Sequence, residues 1–132
     1  MSNTKPRIMV VDDSQSMHAA AKSALGEEYE LMCCEDGLDA VASIAAFKPH
    51  LVFVDITMPK MDGYETVSLI RINRAFKDVP VLMMSSRGGF FDVAHGRLLG
   101  FNGNIQKPFK PADLRAAVAE HLNLNAYAAV AA

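Results

Sequence analysis

Acidic residues lie at two points of the sequence where a buried β-strand is predicted to end. Asp12 and Asp13 follow the apolar run Ile8–Val11, and Asp55 follows the run Leu51–Val54. Because ligands of open α/β sheets collect at the carboxyl ends of the strands, we expect these three carboxylates to share one pocket. Like charges at such spacing repel unless a cation intervenes, and a set of oxygen ligands suits Mg²⁺. A single aspartate could equally cap a helix or a turn, so the prediction of a Mg²⁺ site depends on the whole set.

A hydroxyl and an ammonium group are predicted at the ends of two further strands. Ser85 follows the run Val81–Met84, and Lys107 precedes Pro108 after a weaker apolar run. Each alone fits an ordinary role, as a capping serine or a solvated lysine. Together with Asp55 they suit phosphoryl transfer, with the aspartate as nucleophile, Lys107 and Mg²⁺ as positive charges and Ser85 as a hydrogen-bond donor. A cis bond before Pro108 would aim the ammonium inward, and the sequence leaves the isomer open.

Short β-rich runs alternate with longer segments of helical spacing, which is typical of a parallel sheet covered by helices. The five runs are Ile8–Val11, Leu31–Cys34, Leu51–Val54, Val81–Met84 and a weaker one near Ile105. Three of them are continuous rather than alternating, as expected for strands that are buried on both faces. We therefore predict an α/β fold, a doubly wound (βα)₅ layer structure with a parallel five-stranded sheet.

Helix starts are marked by capping residues. Asp36 and Asp62 are predicted N-caps, Glu65 would complete a capping box with Asp62, and Pro111 fits the first position of the last helix. In the fourth helical segment an apolar stripe recurs at i, i+4 and i+8, in Phe90, Ala94 and Leu98. One of the adjacent aromatics Phe90 and Phe91 is expected to be buried; the alternative is an exposed aromatic anchor for a partner.

The bulk composition limits the possible functions. The chain has 132 residues, of which 51% are hydrophobic, enough for one domain with one core. A net charge of −2 argues against nucleic-acid binding as the main role. No apolar run approaches the ~20 residues of a membrane span, and residues 1–5 do not resemble a signal peptide, so we expect a cytoplasmic protein without membrane insertion. The adjacent Cys33 and Cys34 are expected to be reduced thiols in a strand.

Five short motifs together resemble the receiver domains of two-component response regulators. They are Val11-Asp12-Asp13, Phe53-Val54-Asp55-Ile56-Thr57-Met58-Pro59, Met61-Asp62-Gly63, Met84-Ser85-Ser86 and Lys107-Pro108-Phe109. The resemblance covers residues 7–122, with 1–6 as an N-terminal extension and 123–132 as a C-terminal tail. It implies a flavodoxin-like, CheY-like fold with five parallel strands in the order 2-1-3-4-5.

The resemblance also implies roles for individual residues. The expected phosphoacceptor is Asp55, and the remaining site residues are Asp12 and Asp13 as the acidic Mg²⁺ pair, the Thr57 backbone carbonyl as a further metal ligand, and Ser85 and Lys107 as the switch hydroxyl and lysine. The donor would be a phosphohistidine on a sensor histidine kinase. The output partner would bind the face formed by helix 4, strand 5 and helix 5. Such a protein is not an enzyme but a phosphoacceptor that promotes its own phosphorylation and slow dephosphorylation.

A narrower similarity links the chain to stand-alone receivers of type IV pilus (twitching motility) chemosensory systems. It runs through Asp62-Gly63-Tyr64-Glu65, Arg74-Ala75-Phe76-Lys77 and Ser85-Ser86-Arg87-Gly88-Gly89-Phe90-Phe91-Asp92. This similarity implies a role in pilus or chemotaxis-like control.

One position departs from the receiver pattern. Many receivers carry Tyr or Phe three residues before the strand-five lysine, and this chain carries Asn104 there. The usual coupling between hydroxyl and aromatic ring cannot operate, although the phosphorylation chemistry should survive. Two other functions stay open. One is a degenerate receiver acting as a phosphorylation-independent scaffold, and the other is an aspartyl-phosphate phosphatase, which would need an acid where Thr57 stands.

Overall fold

The computed structural model describes residues 5–86 and 93–131, with side chains described for 5–86 and 93–122. The strands are β1 (Arg7–Val11), β2 (Glu30–Cys34), β3 (Leu51–Asp55), β4 (Val81–Ser86) and β5 (Gly103–Lys107). The helices are α1 (Gln15–Leu25), α2 (Gly37–Phe47), α3 (Gly63–Ile72), α4 (Val93–Leu99) and α5 (Pro111–Ala131), and a short 3₁₀ turn at Arg74–Phe76 follows α3.

All strand pairs are parallel, in the order β2-β1-β3-β4-β5. This confirms the predicted doubly wound α/β fold and the order 2-1-3-4-5. The three central strands are the three continuous apolar runs, and their residues are buried because helices cover both faces of the sheet. Successive residues point to opposite faces, so Met9 and Val11 pack with α2 and α3, whereas Ile8 and Val10 pack with α1 and α5.

The predicted helix starts are confirmed. The Asp36 side chain accepts a hydrogen bond from the backbone N–H of Asp39 (2.7 Å) and caps α2. At α3, Asp62 and Glu65 exchange the two hydrogen bonds of a capping box. Helix α5 begins at Pro111, whose missing N–H would have had no partner inside the helix.

The stripe predicted for the fourth helical segment is not the buried face of α4. Phe90 and Phe91 lie outside the described residues, and both Ala94 and Leu98 are exposed, Leu98 by 86%. The buried residue of α4 is Gly96, where an added side-chain carbon would collide with the end of a methionine in β4. The helix backbone therefore packs directly on the sheet, which a pattern of large apolar side chains does not reveal.

Further sequence-based expectations concern the thiols and the end of the chain. Cys33 and Cys34 lie in β2 as free cysteines, as predicted. The backbone of residues 123–131 continues helix α5, while the division into domain and tail stays a prediction. None of the helices in the described part of the chain is long and apolar enough to cross a membrane.

Candidate functional site

The strand pairing brings the predicted site residues to one edge of the sheet. β1 and β3 pair up to the ends of both strands, so Asp12, which follows β1, lies beside Asp55, the last residue of β3. Asp55 pairs in turn with the β4 residue that precedes Ser85, and Lys107 ends β5 opposite the last residue of β4. Four predicted site residues from four strands thus meet at the carboxyl ends of the sheet.

Three carboxylates are clustered at this edge. One oxygen each from Asp12, Asp13 and Asp55 lie within 4.8 Å of one another. Asp12 is 0% exposed and Asp55 is 5% exposed, whereas Asp13 faces solvent. One oxygen of each buried carboxylate is fixed by a backbone donor: Asp12 Oδ1 accepts from the N–H of Ser14 (2.9 Å), and Asp55 Oδ1 accepts from the N–H of Thr57 (3.2 Å).

The ammonium group of Lys107 bridges the two buried carboxylates. Its Nζ lies 2.5 Å from Asp12 Oδ2 and 3.4 Å from Asp55 Oδ2, and the peptide bond between Lys107 and Pro108 is cis. Burial alone would lower the pKa of Lys107, but the hydrogen bonds and charges of Asp12 and Asp55 outweigh it and raise this pKa. The site therefore holds a charged lysine.

The electrostatics of Asp55 differ from those of a surface carboxylate. Burial, and then the negative charge of Asp12, raise the pKa of Asp55, while the charge of Lys107 opposes them. The single ammonium group of Lys107 only partly offsets the effect of burial on Asp55 and its repulsion by Asp12. A further cation in the pocket would relieve it.

The hydroxyl of Ser85 is the unsatisfied polar group of the site. The residue is 3% exposed, and its Oγ has no hydrogen-bond partner among the described residues. Buried hydroxyls are normally paired, because leaving one unpaired costs about 1–3 kcal/mol. A ligand oxygen bound at the end of β3 would give this hydroxyl an acceptor.

These donors fit a divalent metal ion and a phosphoryl group. Carboxylate oxygens are the ligands that Mg²⁺ prefers, and the exposed Asp13 leaves the pocket open to solvent and to a phosphate. The cluster of Asp12, Asp13 and Asp55 can hold the metal, and Lys107 and Ser85 offer a charge and a donor for phosphoryl oxygens. The use of the Thr57 carbonyl as a metal ligand stays a prediction.

Sequence reasoning missed the contribution of Ser14. Its N–H fixes the buried Asp12 carboxylate, and its side chain accepts from the N–H of Met17 and so caps α1. A serine two residues after an aspartate at a strand end is the signal for such a turn and cap. One residue therefore couples the start of α1 to the acidic pocket.

Comparisons with known sequences identify the family of the chain. The response regulator receiver domain family matches residues 8–119. Protein PilG of Pseudomonas aeruginosa is 42% identical over 117 residues, which are 88% of this chain and 87% of that protein. The DNA-binding response regulator MtrA of Mycobacterium tuberculosis is 33% identical over 126 residues, 95% of this chain but only 54% of that protein.

Solved structures agree with these sequence matches. The chemotaxis response regulator CheY4 of Vibrio cholerae has a TM-score of 0.83 and 28% identity, covering 89% of this chain and 99% of that one. The signal receiver domain of a LuxO repressor protein of Vibrio parahaemolyticus has a TM-score of 0.87 and 25% identity, covering 96% and 97%. From the matched residues, the shared fold and the acidic pocket at the carboxyl edge, we conclude that the chain belongs to the response regulator receiver domain family.

Proposed function

We propose that Asp55 is the phosphoacceptor of this receiver, that Mg²⁺ assists the transfer, and that the phosphorylated form signals by binding a partner protein. The observation that carries the proposal is the pocket itself. A buried carboxylate at the end of β3 lies among two further acids, a bridging lysine and a buried serine hydroxyl that has no hydrogen-bond partner among the described residues. Membership of the receiver family supports two-component phosphorylation in general, and the roles of single residues are part of the proposal.

In the proposed step, a carboxylate oxygen of Asp55 attacks the phosphorus of a phosphohistidine. The new O–P bond forms as the P–N bond breaks, and the imidazole nitrogen keeps the electron pair and takes up a proton from solvent. Lys107 neutralises charge on the transferred oxygens, and the Ser85 hydroxyl donates a hydrogen bond to one of them. Mg²⁺ held by Asp12, Asp13, Asp55 and the Thr57 carbonyl would supply the remaining positive charge.

The proposed donor is a sensor histidine kinase, and the proposed output surface is the face of α4, β5 and α5. A cytoplasmic role in type IV pilus or chemotaxis-like control is part of the proposal and rests on the narrower sequence similarity described above. Protein PilG, which is 42% identical, is matched over 87% of its length. The chain is proposed to act as a phosphoacceptor and not as a phosphatase. Its Thr57 has no carboxyl group to serve as the general acid that a phosphatase of this type needs two residues after the nucleophile.

A second candidate is a scaffold that binds its partner without phosphorylation. Asn104 favours it, because an exposed amide on β5 cannot replace the aromatic ring that many receivers use at that position. The intact set of acids, serine and lysine favours the phosphoacceptor.

Beryllofluoride, which mimics a phosphoryl group, distinguishes the two candidates. We expect ¹⁹F NMR to detect a bound species only when Mg²⁺ is present, and to detect none in Asp55→Asn. Asp39→Asn, which alters an exposed aspartate on α2, is the matched control and should bind as the native chain does. A native chain that binds no beryllofluoride with Mg²⁺ present would favour the scaffold.

A further inference from the structure

A groove of about 510 Å³ runs between α3 and α4. Its apolar lining includes Met61, Leu69 and Leu99, and the rings of Tyr64 and His95, which also line it, are in contact with their centroids 5.1 Å apart. Tyr64 also contacts a phenylalanine beside the start of β5 edge-on. The contact between Tyr64 and His95 joins α3 to α4 at the groove.

Exposed apolar side chains lie on the two helices that line this groove. Leu69 is 37% exposed within it, Ile72 lies one helical turn further along α3 and is 74% exposed, and Leu98 beside Leu99 on α4 is 86% exposed. Among the described residues, the remaining large exposed hydrophobic side chain is Leu38 on α2. Three of the four such residues therefore lie on α3 and α4. A concentration of exposed apolar side chains is typical of a protein interaction site.

The groove carries negative charge at one end. Of the described residues that line it, two are acidic, Asp62 and Glu65, and they lie at the start of α3. Each uses one carboxylate oxygen to accept the other's backbone N–H, at 2.9 and 3.1 Å. Each carboxylate has a second oxygen outside these two hydrogen bonds, which can pair with the lysine or arginine of a partner.

The same end of the groove contacts the backbone of the proposed phosphoacceptor. The N–H of Gly63 donates to the carbonyl of Ile56 (2.9 Å), and a side-chain carbon at Gly63 would lie 2.6 Å from the carbonyl oxygen of Asp55. The start of α3 therefore packs on the chain that leaves Asp55, with no side chain between. A movement of the backbone at Asp55 would therefore act directly on the start of α3, which lines the groove, without involving Asn104.

We propose that this groove docks an amphipathic helix of a partner protein, and that phosphorylation of Asp55 changes the affinity. A helix fits between two helices when its apolar residues recur at i and i+4. The charge of Asp62 and Glu65 requires lysine or arginine at the end of the partner helix that meets them. The dependence on phosphorylation rests on the proposed function, whereas the docking site is argued from the groove alone.

Two synthetic helical peptides of roughly 18 residues serve as probes, long enough to form helices in solution. Both carry leucine at i and i+4 along one face; one carries lysines at its ends and the other glutamates. Titrated into ¹⁵N-labelled protein, the lysine peptide should shift the amide signals of residues 61–72 and 95–99. The glutamate peptide should leave them unchanged, because it repels Asp62 and Glu65.

Variants locate the binding site. Leu69→Gln should weaken binding of the lysine peptide at least about fivefold, since a buried leucine contact is lost. Glu65→Gln retains the capping hydrogen bond and should weaken binding about two- to fivefold while reducing its salt dependence. Leu38→Gln and Glu27→Gln change an exposed leucine and an exposed glutamate elsewhere and should leave the affinity unchanged.

Several outcomes would overturn the proposal. Shifts outside the groove, or equal affinity of Leu69→Gln and the native chain, would overturn the docking site. If the amide signals of the groove residues shift with protein concentration in the absence of peptide, the groove binds a second copy of the chain instead. Affinity should differ at least about fivefold between free and beryllofluoride-loaded protein, and equal affinity would overturn the coupling to Asp55. If beryllofluoride does not bind with Mg²⁺, the phosphoacceptor function fails instead.

Discussion

Removing the hydroxyl of Ser85 is expected to stabilise the free protein and to destabilise the form that carries a phosphoryl group. In the free protein the side chain is buried and its hydroxyl has no hydrogen-bond partner among the described residues. Burying an unpaired hydroxyl costs about 1–3 kcal/mol, and the lost oxygen atom contributes little to packing. We therefore expect Ser85→Ala to raise the free energy of unfolding of the free protein by about 1 kcal/mol.

In the protein that carries a phosphoryl group, the same hydroxyl would donate to an anionic oxygen. Such a bond contributes about 1.5–3 kcal/mol, so Ser85→Ala should weaken Mg²⁺-dependent beryllofluoride binding by about 10- to 150-fold. Urea unfolding followed by circular dichroism measures the first effect, and ¹⁹F NMR titration measures the second. Ser85→Thr keeps the hydroxyl and should retain binding.

Two results would refute this reasoning. A fall of more than about 1 kcal/mol in the free energy of unfolding of Ser85→Ala would mean that the hydroxyl is paired in the free protein. Unchanged beryllofluoride affinity in Ser85→Ala would mean that the hydroxyl does not contact the phosphoryl group.

Three further predictions concern positions outside the site. Burial and then nearby negative charges raise the pKa of the buried Cys34 thiol to about 12, so at about pH 8 iodoacetamide should alkylate the half-buried Cys33 first. Equal rates of alkylation of Cys33 and Cys34 in the native protein would contradict this prediction. Lys48, the C-cap that follows α2, has a φ of 53°, a left-handed conformation that favours glycine. Lys48→Gly should therefore raise the free energy of unfolding by about 1 kcal/mol, and a lower urea midpoint would contradict this prediction. The Arg71 guanidinium donates to the carbonyl of Gly100 at 2.7 and 3.1 Å and to two other acceptors. Arg71→Met should therefore lower the free energy of unfolding by about 2–4 kcal/mol. An unchanged melting temperature would show that these hydrogen bonds contribute little to stability.

Most of the fold could be predicted because its central strands contain continuous hydrophobic runs. The runs that begin at Ile8, Leu51 and Val81 are fully buried, as is typical of parallel strands with helices on both faces of the sheet. Helix α4 could not be predicted as well, because its buried contact is made by Gly96, which has no side chain to appear in a hydrophobic pattern. The exposed Leu98 of the same helix, by contrast, fits a helical stripe.

The residues that gather in the pocket could be predicted because each lies at or next to the carboxyl end of a strand, and parallel strands end at one edge. The contacts among these residues could not be predicted, because they depend on side-chain conformations and backbone turns that the positions of the strands do not specify. Lys107 lies closer to Asp12 than to Asp55, and the N–H of Ser14 fixes the Asp12 carboxylate. That the Ser85 hydroxyl has no hydrogen-bond partner in the described part of the chain likewise depends on the side chains packed around it.

The assignment of Asp55 as phosphoacceptor can be tested by locating the phosphoryl group. The native chain, Asp55→Asn and the control Asp39→Asn would be incubated with acetyl phosphate and Mg²⁺, then analysed by intact mass and by peptide mapping after borohydride reduction. We predict one phosphoryl group, on Asp55, in the native chain and in the control, and none without Mg²⁺ or in Asp55→Asn. Undiminished incorporation in Asp55→Asn, or a phosphoryl group mapped to another residue of the native chain, would contradict the assignment.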